Sequence, residues 1–522
     1  MKKYIKYLLI VTILISNFSN AQISSRKIDK LVKEARKTFN VAGCAVGVVK
    51  DGKIIHSKGY GVKSIETNEP VNKHTNFAIA SNTKAFTTTA LAILVDEGKL
   101  SWNDKVVDYI PEFRMYNDYV THNFTISDLV SHRSGLGKGA GDLMWWPDEN
   151  NFKIEDIISN FQYFKPKSDL RTKYAYNNVL FFVAGEVIKR VSGFTWEEFV
   201  KENVLKPLNM DNTYTSITQI TDFFNVATPH STESGKLATL NHHYYNIEKV
   251  NGAAYSIYSN VDDLCNWMLL HLNKGKYGEN LENKLFSMDN YRKMWKIHTS
   301  IAPDTSSRYS SHFAGAGLGW FMEDKKGKLV VDHGGSMPGM RSAPNLIPDI
   351  ECGVFILTNT YTGGSAHRAI IKTIVDSYLE ADDYDWINHN KDKMIESKAE
   401  NDSITSEVWK SIKLTKNDNI NTRDYIGVYE DNWFGKVEVF INENQLCFKS
   451  FRSQKLNGQM HFYKGSTFVI RWEYQYMYPD AFAIFSLNEE GKAQSIKLKG
   501  ISPNIDFSYD FQDLDLKRIN EE

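Results

Sequence analysis

Cysteine is scarce in this chain of 522 residues, and the four cysteines that occur stand far apart. Because no two of them form a Cys-x-x-Cys pair, the sequence indicates neither a fold stapled by disulfides nor a zinc finger. An excess of charge of one sign is also lacking, since 62 basic residues are matched by 63 acidic ones. A net charge of −1 supplies no overall field to hold nucleic acid or an anionic membrane.

Long hydrophobic runs are absent except at the N-terminus. There, three lysines surround the start of the apolar run 7–15, and small side chains stand at the two positions that a signal peptidase inspects before Gln22. The run is shorter than the roughly 20 residues of a membrane-spanning helix. We therefore predict a signal peptide over residues 1–21 and no membrane span in the mature chain. In a bacterium such a protein is periplasmic or secreted.

Several motifs of catalysis and cofactor binding are missing as well. The chain contains no Gly-x-x-x-x-Gly-Lys-Ser/Thr phosphate loop, no His-Glu-x-x-His zinc helix and no Gly-x-Ser-x-Gly elbow. The nearest approach to an elbow begins at Gly334, but Pro338 stands where the sharp turn needs glycine. The pair His242-His243 has no third metal ligand at a useful spacing. We expect neither a metal nor a cofactor.

What the chain does contain falls into two parts. Over residues 22–380 helix-like and strand-like segments mix, and strands at both ends enclose helices, which is typical of an α/β domain built on one sheet. The segments predicted in this part are a hairpin at 45–57, helices at 83–97 and 179–191, strands at 329–332 and 353–357, and a short helix after Gly364.

The remainder of the chain changes character. Residues 381–420 are rich in Asp, Lys, Asn and Ser, which predicts a polar linker with room for one helix around Trp409. From residue 421 to 522 short strands follow one another, and several alternate apolar and polar residues. We predict a small all-β barrel or sandwich with strands at 436–441, 446–450, 467–472, 482–487, 494–498 and 505–511.

The strongest chemical signal is Ser81-Asn82-Thr83-Lys84, at the start of the predicted helix 83–97. A spacing of three puts the serine and the lysine on one helical face, so that the amine can lie beside the hydroxyl. A serine hydroxyl is a poor nucleophile until a neighbour takes its proton, and a lysine in an apolar site has a lowered pKa and can take it. Residues 24–27 repeat the spacing, but no apolar strand leads into them as 77–80 leads into Ser81.

Two weaker motifs add polar groups. Tyr176-Asn177-Asn178 precedes the predicted helix 179–191 and offers a phenol as proton carrier and an amide as a partner for substrate or lysine. His333-Gly334-Gly335-Ser336 follows the strand 329–332, where glycines admit a substrate backbone and a free N–H can face an oxyanion. Taken alone, the first motif fits a polar helix start better, and the second fits a glycine-rich surface turn better.

In their order and spacing, the three motifs resemble those of the serine β-lactamase and penicillin-binding-protein superfamily. The similarity is to the branch of class C β-lactamase-like hydrolases that includes D-aminopeptidases and esterases, and it extends over about residues 23–380. The stretches that carry it, besides Ser81 to Lys84, are Ser131-His132-Arg133-Ser134-Gly135-Leu136, the segment 173–178, Gly317-Leu318-Gly319-Trp320, the segment 333–339 and Leu357-Thr358-Asn359.

The resemblance implies a β-lactamase/transpeptidase-like fold, in which an antiparallel sheet is flanked by helices and accompanied by an all-α subdomain. Tyr425-Ile426-Gly427-Val428-Tyr429, followed by Gly435, resembles the start of the lipocalin-like β-barrel often fused behind such hydrolases. The implied organisation is a signal peptide at 1–21, a hydrolase domain at 22–380, the linker at 381–420 and a barrel at 421–522.

The resemblance also implies a role for each motif residue. Ser81 would be the acylated nucleophile, Lys84 its activator, and Tyr176 the proton shuttle and base for deacylation. Asn178, His333, Gly335 and Ser336 would bind the substrate, with the backbone N–H groups of Ser81 and Ser336 forming the oxyanion hole.

Two positions depart from the family pattern. Asn177 replaces the usual serine, and Gly334 removes the hydroxyl that other members direct at a substrate carboxylate. Efficient penicillin hydrolysis is therefore not expected. Arg341 is near enough in sequence to replace the lost anchor, although an arginine on a strand is also commonly just solvated.

Three functions are compatible with these residues. The first is a secreted serine hydrolase that cleaves an amide or ester of a small molecule or peptide, such as a D-amino acid peptide, through a Ser81 acyl-enzyme. The second is a penicillin-binding or cell-wall-binding protein that is acylated but turns over poorly. The third is an inactive scaffold, which the presence of Ser81, Lys84 and Tyr176 disfavours. The sequence leaves the substrate and the oligomeric state open.

Overall fold

A computed structural model describes residues 22–232, 235–242, 249–305, 308–414 and 420–519, without the side chains of 398–402. The predicted signal peptide, residues 1–21, and His243 lie outside these ranges. Within them, no helix combines the length and the apolar character needed to cross a membrane.

An antiparallel sheet of nine strands forms the centre of the first domain. Gly43–Lys50 and Lys53–Gly61 make the predicted hairpin. Gly43–Lys50 also pairs with Cys352–Thr358, from the opposite end of the domain. Beyond Cys352–Thr358 the order is Met340–Ile347, Lys328–Asp332, Phe321–Lys325, Ala314–Ala316 and Thr299–Ile301, and Gly335–Met337 pairs with Met340–Ile347.

Helices cover both faces of this sheet. Because side chains alternate along a strand, Val46 and Val48 of Gly43–Lys50 face one way and Ala45 and Val49 the other. Ser25–Thr38 and Gly363–Tyr378 pack on the first face, with Trp386–Leu414 against them. Val261–Leu272 packs on the second face.

The all-α part lies on that second side, and its central helix is Thr83–Asp96. This helix is buried from Thr83 to Leu94 and packs against Val179–Ser192. Gly98 and Gly193, with φ of +69° and +79°, follow the two helices. The other helices of this part are Val106–Tyr109, Asp118–Asn123, Ile126–Leu129, Ile154–Asn160, Trp196–Val200 and Met288–Met294, with a 3-10 turn at Asp142–Met144.

The second domain is a closed barrel of eight strands, in which Tyr429 on the first strand pairs with Arg518 on the last. The strands are Gly427–Asp431, Gly435–Asn442, Gln445–Ser450, Asn457–Lys464, Thr467–Trp472, Ala481–Leu487, Ala493–Gly500 and Leu516–Arg518. The predicted fold class, a β-lactamase-like α/β domain followed by a small all-β barrel, is confirmed.

Three details of the second half differ from the prediction. The barrel strands Gly427–Asp431, Asn457–Lys464 and Leu516–Arg518 were not among those predicted. The strand expected at 505–511 is wrong, because these residues belong to a loop, 501–515, that leaves the barrel and packs against the first domain. The segment expected as a linker is largely the helix Trp386–Leu414. Trp386 bonds to Asp376 of the first domain and Trp409 to Asp480 of the barrel, so both ends of this helix are anchored. Its polar composition reflects a solvated helix that bridges two domains.

Candidate active site

Ser81 lies in a single 3-10 turn, Ala80–Asn82, that leads directly into the helix Thr83–Asp96. Ala80 has a φ of +49°, a left-handed conformation that costs energy for a residue with a side chain. The turn is held from both sides: Ile79 N donates to Ile257 O at 2.9 Å, and Ile79 O accepts from Ser342 Oγ at 2.5 Å. Ser81 is thereby presented at the surface of a cleft, with its side chain only partly buried.

Lys84 is fully buried one helical turn further on. Its Nζ donates to Ser81 Oγ at 3.1 Å, to Asn178 Oδ1 at 2.7 Å and to the backbone oxygen of Ala254 at 2.9 Å. Burial lowers the pKa of Lys84 to about 7, against the opposing effect of Asp142. In the neutral amine two hydrogens serve Asn178 and Ala254, and the lone pair faces Ser81 Oγ. The geometry is that of a base beside a hydroxyl.

Tyr176 lies close enough to Ser81 for the serine hydroxyl to act on its pKa, and it is surrounded by rings. Burial raises the pKa of Tyr176 well above its usual value, so its resting form is the neutral phenol. A neutral phenol donates a proton more readily than it accepts one. The rings around it, by centroid distance, are His132 at 4.3 Å, Phe507 at 5.6 Å, His333 at 6.1 Å and Phe321 at 6.4 Å.

Two histidines complete the surroundings of the lysine. Burial lowers the pKa of His333 to about 3 and that of His132 well below its usual value, and the Lys84 charge acts in the same direction. Both rings are therefore neutral. His333 Nδ1 lies 2.9 Å from Gly334 O and carries the proton, whereas His132 Nδ1 accepts from Asn177 N at 3.2 Å. Within the described residues, neither Nε2 has a hydrogen-bond partner.

Gly335 and Ser336 begin a short strand that lies against the Ser81 turn. A Cβ on Gly335 would come 2.2 Å from Ile79 O and 2.1 Å from Ser342 Oγ, so only glycine allows this approach. Ser336 is exposed at the cleft, and its Oγ accepts from Arg341 Nη1. The strand that holds Ser336 therefore contacts the turn that holds Ser81, and the oxyanion role of their N–H groups stays a prediction.

Asn178 is positioned differently from the sequence prediction. Its Oδ1 accepts from Lys84, and its Nδ2 donates to Asp142 Oδ2 at 2.8 Å. With both amide atoms engaged and the residue 4% exposed, Asn178 contacts the lysine, not an open substrate cleft. The neighbouring Asn177, which departs from the family pattern, donates to Ala140 O and accepts from Leu180 N, so it caps the following helix.

Sequence reasoning missed Asp142, a fully buried acid of the site. Burial raises the pKa of Asp142 to about 7, while three donors favour its ionised form. These donors are Asn178 Nδ2, Trp145 Nε1 at 3.0 Å and Ser508 Oγ at 2.8 Å. Ser508 belongs to the barrel, so the second domain reaches the site.

The barrel also walls one end of the cleft. Beside Ser336 a narrow pocket of about 30 Å³ is lined from both domains, by Trp145, Trp146, Met337 and Pro338 on one side and Tyr476, Met477, Asp506 and Ser508 on the other. Gly339 N donates to Tyr476 OH at 2.8 Å and ties this end of the first domain to the barrel.

Comparison with known proteins agrees with this geometry. The beta-lactamase family matches residues 28–377, and a domain of unknown function, DUF3471, matches residues 414–518. The unguisins hydrolase ungD' of Aspergillus campestris is 28% identical over 68% of this chain and 66% of its own length. Protein flp of Staphylococcus aureus is 25% identical over 64% of this chain and 63% of its own length.

The fold has solved counterparts too. The octameric penicillin-binding protein homologue from Pyrococcus abyssi has a TM-score of 0.59 and 19% identity, over 95% of this chain and 100% of that one. The chain spans just under two thirds of the length of the two curated relatives. The family match covers well over half of the residues and includes the Ser81–Lys84 pair. The chain therefore belongs to the beta-lactamase family of serine hydrolases.

Proposed function

We propose that this protein hydrolyses an amide or ester through a covalent acyl-enzyme on Ser81. The observation that carries the proposal is the Lys84 amine, buried, near neutral in pKa, and 3.1 Å from Ser81 Oγ. A base poised near the working pH accepts a proton most effectively in the transition state. The neutral Tyr176 phenol, close to Ser81, supplies the acid.

In acylation, Ser81 Oγ attacks the substrate carbonyl as its proton passes to Lys84. The oxygen–carbon bond forms, and the carbonyl oxygen becomes an oxyanion held by the N–H groups of Ser81 and Ser336. When the intermediate collapses, the bond to the leaving nitrogen or oxygen breaks. The leaving atom takes the Tyr176 proton, which Lys84 replaces, so the amine is neutral again.

In deacylation, water attacks the acyl carbon. Its proton passes to the Tyr176 oxygen while that phenol gives its own proton towards Lys84, because a buried neutral phenol acts as a relay more readily than as a phenolate. Ser81 then leaves the acyl group and regains its proton from the lysine. His333, neutral and turned to the Tyr176 ring, contacts the acyl group on this side.

For the substrate we infer a peptide, a D-amino acid peptide or a small ester. The glycine at 334 leaves no side chain to hold a penicillin carboxylate. The name of the Aspergillus relative also describes a hydrolase. We further infer export of the protein, from the N-terminal signal sequence.

The test is to treat the wild-type protein and Ser81→Ala with a fluorophosphonate and with a labelled penicillin, and to locate the added mass. We expect label on the Ser81 peptide of the wild type alone. A panel of nitrophenyl esters, D-aminoacyl anilides and nitrocefin then measures turnover. Label without turnover on any of them would favour a penicillin-binding or cell-wall-binding protein. Equal labelling of Ser81→Ala would end the acyl-enzyme proposal.

A further inference from the structure

The loop 501–515 of the barrel contacts the first domain beside Tyr176. Phe507 lies against the Tyr176 ring at 5.6 Å, and a Cβ on Gly139 would come 2.4 Å from Phe507 O. Lys138 Nζ lies 4.5 Å from the centre of the Phe507 ring. The loop is therefore packed tightly onto the segment 138–144 behind the catalytic tyrosine.

The loop 501–515 holds Asp142 through two sets of hydrogen bonds. The backbone N–H groups on either side of it, those of Gly141 and Leu143, donate to Asp510 Oδ2 and Oδ1 at 2.7 and 3.1 Å. The Asp142 side chain accepts from Ser508 Oγ at 2.8 Å. Both barrel residues are buried, at 5% exposure for Ser508 and 0% for Asp510. Backbone and side chain of Asp142 are thus both fixed from the second domain.

From Asp142 the contacts continue to the nucleophile. Its carboxylate accepts from Asn178 Nδ2, and Asn178 Oδ1 accepts from Lys84. A carboxylate accepts only, and an amine at this position donates, so the amide has one orientation that satisfies both neighbours. A reversed amide would point its NH₂ at the lysine and turn the amine away from Ser81.

We propose that residues 508–510 of the barrel are a positioning element of the active site, which fixes Asp142 and, through the amide of Asn178, turns the Lys84 amine towards Ser81. The inference rests on the proposed function, since it concerns the base of that reaction. It makes Asp142, Ser508 and Asp510 positioning residues, because each acts on the lysine through another group.

The charges around the chain of contacts decide the sign of the pH effect. Lys84 faces Asp142, His132, His333 and Tyr176, of which burial keeps the two histidines and the tyrosine neutral. Asp142 also faces Asp510. Burial, together with the charge of Asp142, raises the pKa of Asp510 well above its usual range. Among the residues that the structure describes, the carboxylate that acts on the lysine is then Asp142, and it raises the pKa of Lys84. A variant in which Asp142 is less ionised, or carries no charge, therefore has a lower pKa at Lys84.

The experiment measures fluorophosphonate acylation of the full chain against pH, for the wild type, Ser508→Ala, Ser508→Thr and Asp142→Asn. We expect a fall of roughly tenfold for Ser508→Ala, the effect of one hydrogen bond to a charged group, and rescue by Ser508→Thr, which keeps the hydroxyl. For Asp142→Asn we expect a fall of about 10- to 100-fold, as for a misplaced catalytic group. In Ser508→Ala and in Asp142→Asn, the rise of the acylation rate with pH, the acidic limb of the profile, should shift to lower pH.

Ser495→Ala is the matched control, because Ser495 is a buried serine on the barrel strand Ala493–Gly500. It should acylate at the wild-type rate with an unchanged limb. Wild-type rates in Ser508→Ala and Asp142→Asn would overturn the inference and leave the proposed function intact. So would slower variants whose acidic limb stays in place and which threonine does not rescue, since that pattern indicates a purely structural contact. An unlabelled Ser81 in the wild type would overturn both proposals.

Discussion

The imidazole of His132 stacks on the phenol ring of Tyr176, with 4.3 Å between centroids and 27° between planes. His132 has a φ of +55°, and its Nδ1 accepts from the backbone N–H of Asn177, the residue after the tyrosine. The histidine therefore fixes both the ring and the backbone of the proposed proton carrier.

We expect His132→Asn to lower the acylation rate about tenfold, because it removes a ring contact worth about 0.5–1.5 kcal/mol while asparagine still tolerates the left-handed backbone. Fluorophosphonate kinetics per folded molecule is the measurement. The control is His271→Asn, a buried histidine packed among Trp267, Trp295 and Trp320. His271→Asn should lower the melting temperature without slowing acylation. If His132→Asn is acylated as fast as His271→Asn, the role of His132 is contradicted.

The proposed base and acid, Lys84 and Tyr176, should behave as one proton-transfer network when they are removed singly and together. We expect Lys84→Ala and Tyr176→Phe each to lower kcat by roughly 10² to 10⁴, the usual contribution of a positioned acid or base. Because Lys84 bonds to Ser81 and Tyr176 lies close to it, the double variant should be only slightly slower than the less active of the two single variants. Steady-state hydrolysis of a nitrophenyl ester measures this. Additive losses, or near-wild-type turnover in Tyr176→Phe, would assign the proton transfer to another group.

The pH dependence of acylation follows from the lysine. Burial lowers the pKa of Lys84 to about 7, and only the neutral amine can accept the Ser81 proton. The rate should therefore rise with pH through an apparent pKa near 7 and level off above it, whereas an exposed lysine would keep the rate rising towards about pH 10. Titration of His132 and His333 lies well below this range, whereas burial raises the pKa of Asp142 to about 7, so the apparent pKa belongs to the coupled Lys84–Asp142 pair. A rate independent of pH between about 6 and 8 would exclude Lys84 as the base.

The parts of the site that were predicted correctly in position depend on local spacing. Ser81 and Lys84 are neighbours because one helical turn separates them, and the apolar lead-in and Gly98 delimit that helix in the sequence. The helix after Tyr176 was predicted for the same reason. The assigned roles of these residues stay predictions until the variants are measured.

The parts that were missed depend on contacts between distant segments. Ser508 and Asp142 are 366 residues apart, and nothing near either residue signals the other. The strand predicted at 505–511 came from a true alternation, since Phe507, Tyr509 and Phe511 are apolar. Phe507 packs on Tyr176 and Tyr509 on Trp146, both in the first domain, whereas Phe511 stacks on Trp472 of the barrel, so these side chains are covered without being part of a sheet. Periodicity reports that a side chain is covered and not what covers it.

The two adjacent glycines of His333-Gly334-Gly335-Ser336 should differ sharply in their tolerance of a methyl group. A Cβ at Gly335 meets Ile79 O at 2.2 Å, whereas a Cβ at Gly334 meets no atom within 4 Å. Neither residue has a positive φ, so backbone strain does not enter the comparison. Gly335→Ala must push the strand away from the Ser81 turn, and we expect it to cost about 1–3 kcal/mol of unfolding free energy.

The same displacement separates the N–H of Ser336 from that of Ser81. Acylation by Gly335→Ala should therefore fall about 10²-fold, since a shift of about 1 Å in a positioned group has that effect. Gly334→Ala is the matched control and should keep both the stability and the acylation rate of the wild type. Urea unfolding and fluorophosphonate kinetics on the two variants decide the matter. If Gly335→Ala is as stable and as fast as Gly334→Ala, the strand does not hold the site against the Ser81 turn, and Ser336 is not half of the oxyanion hole.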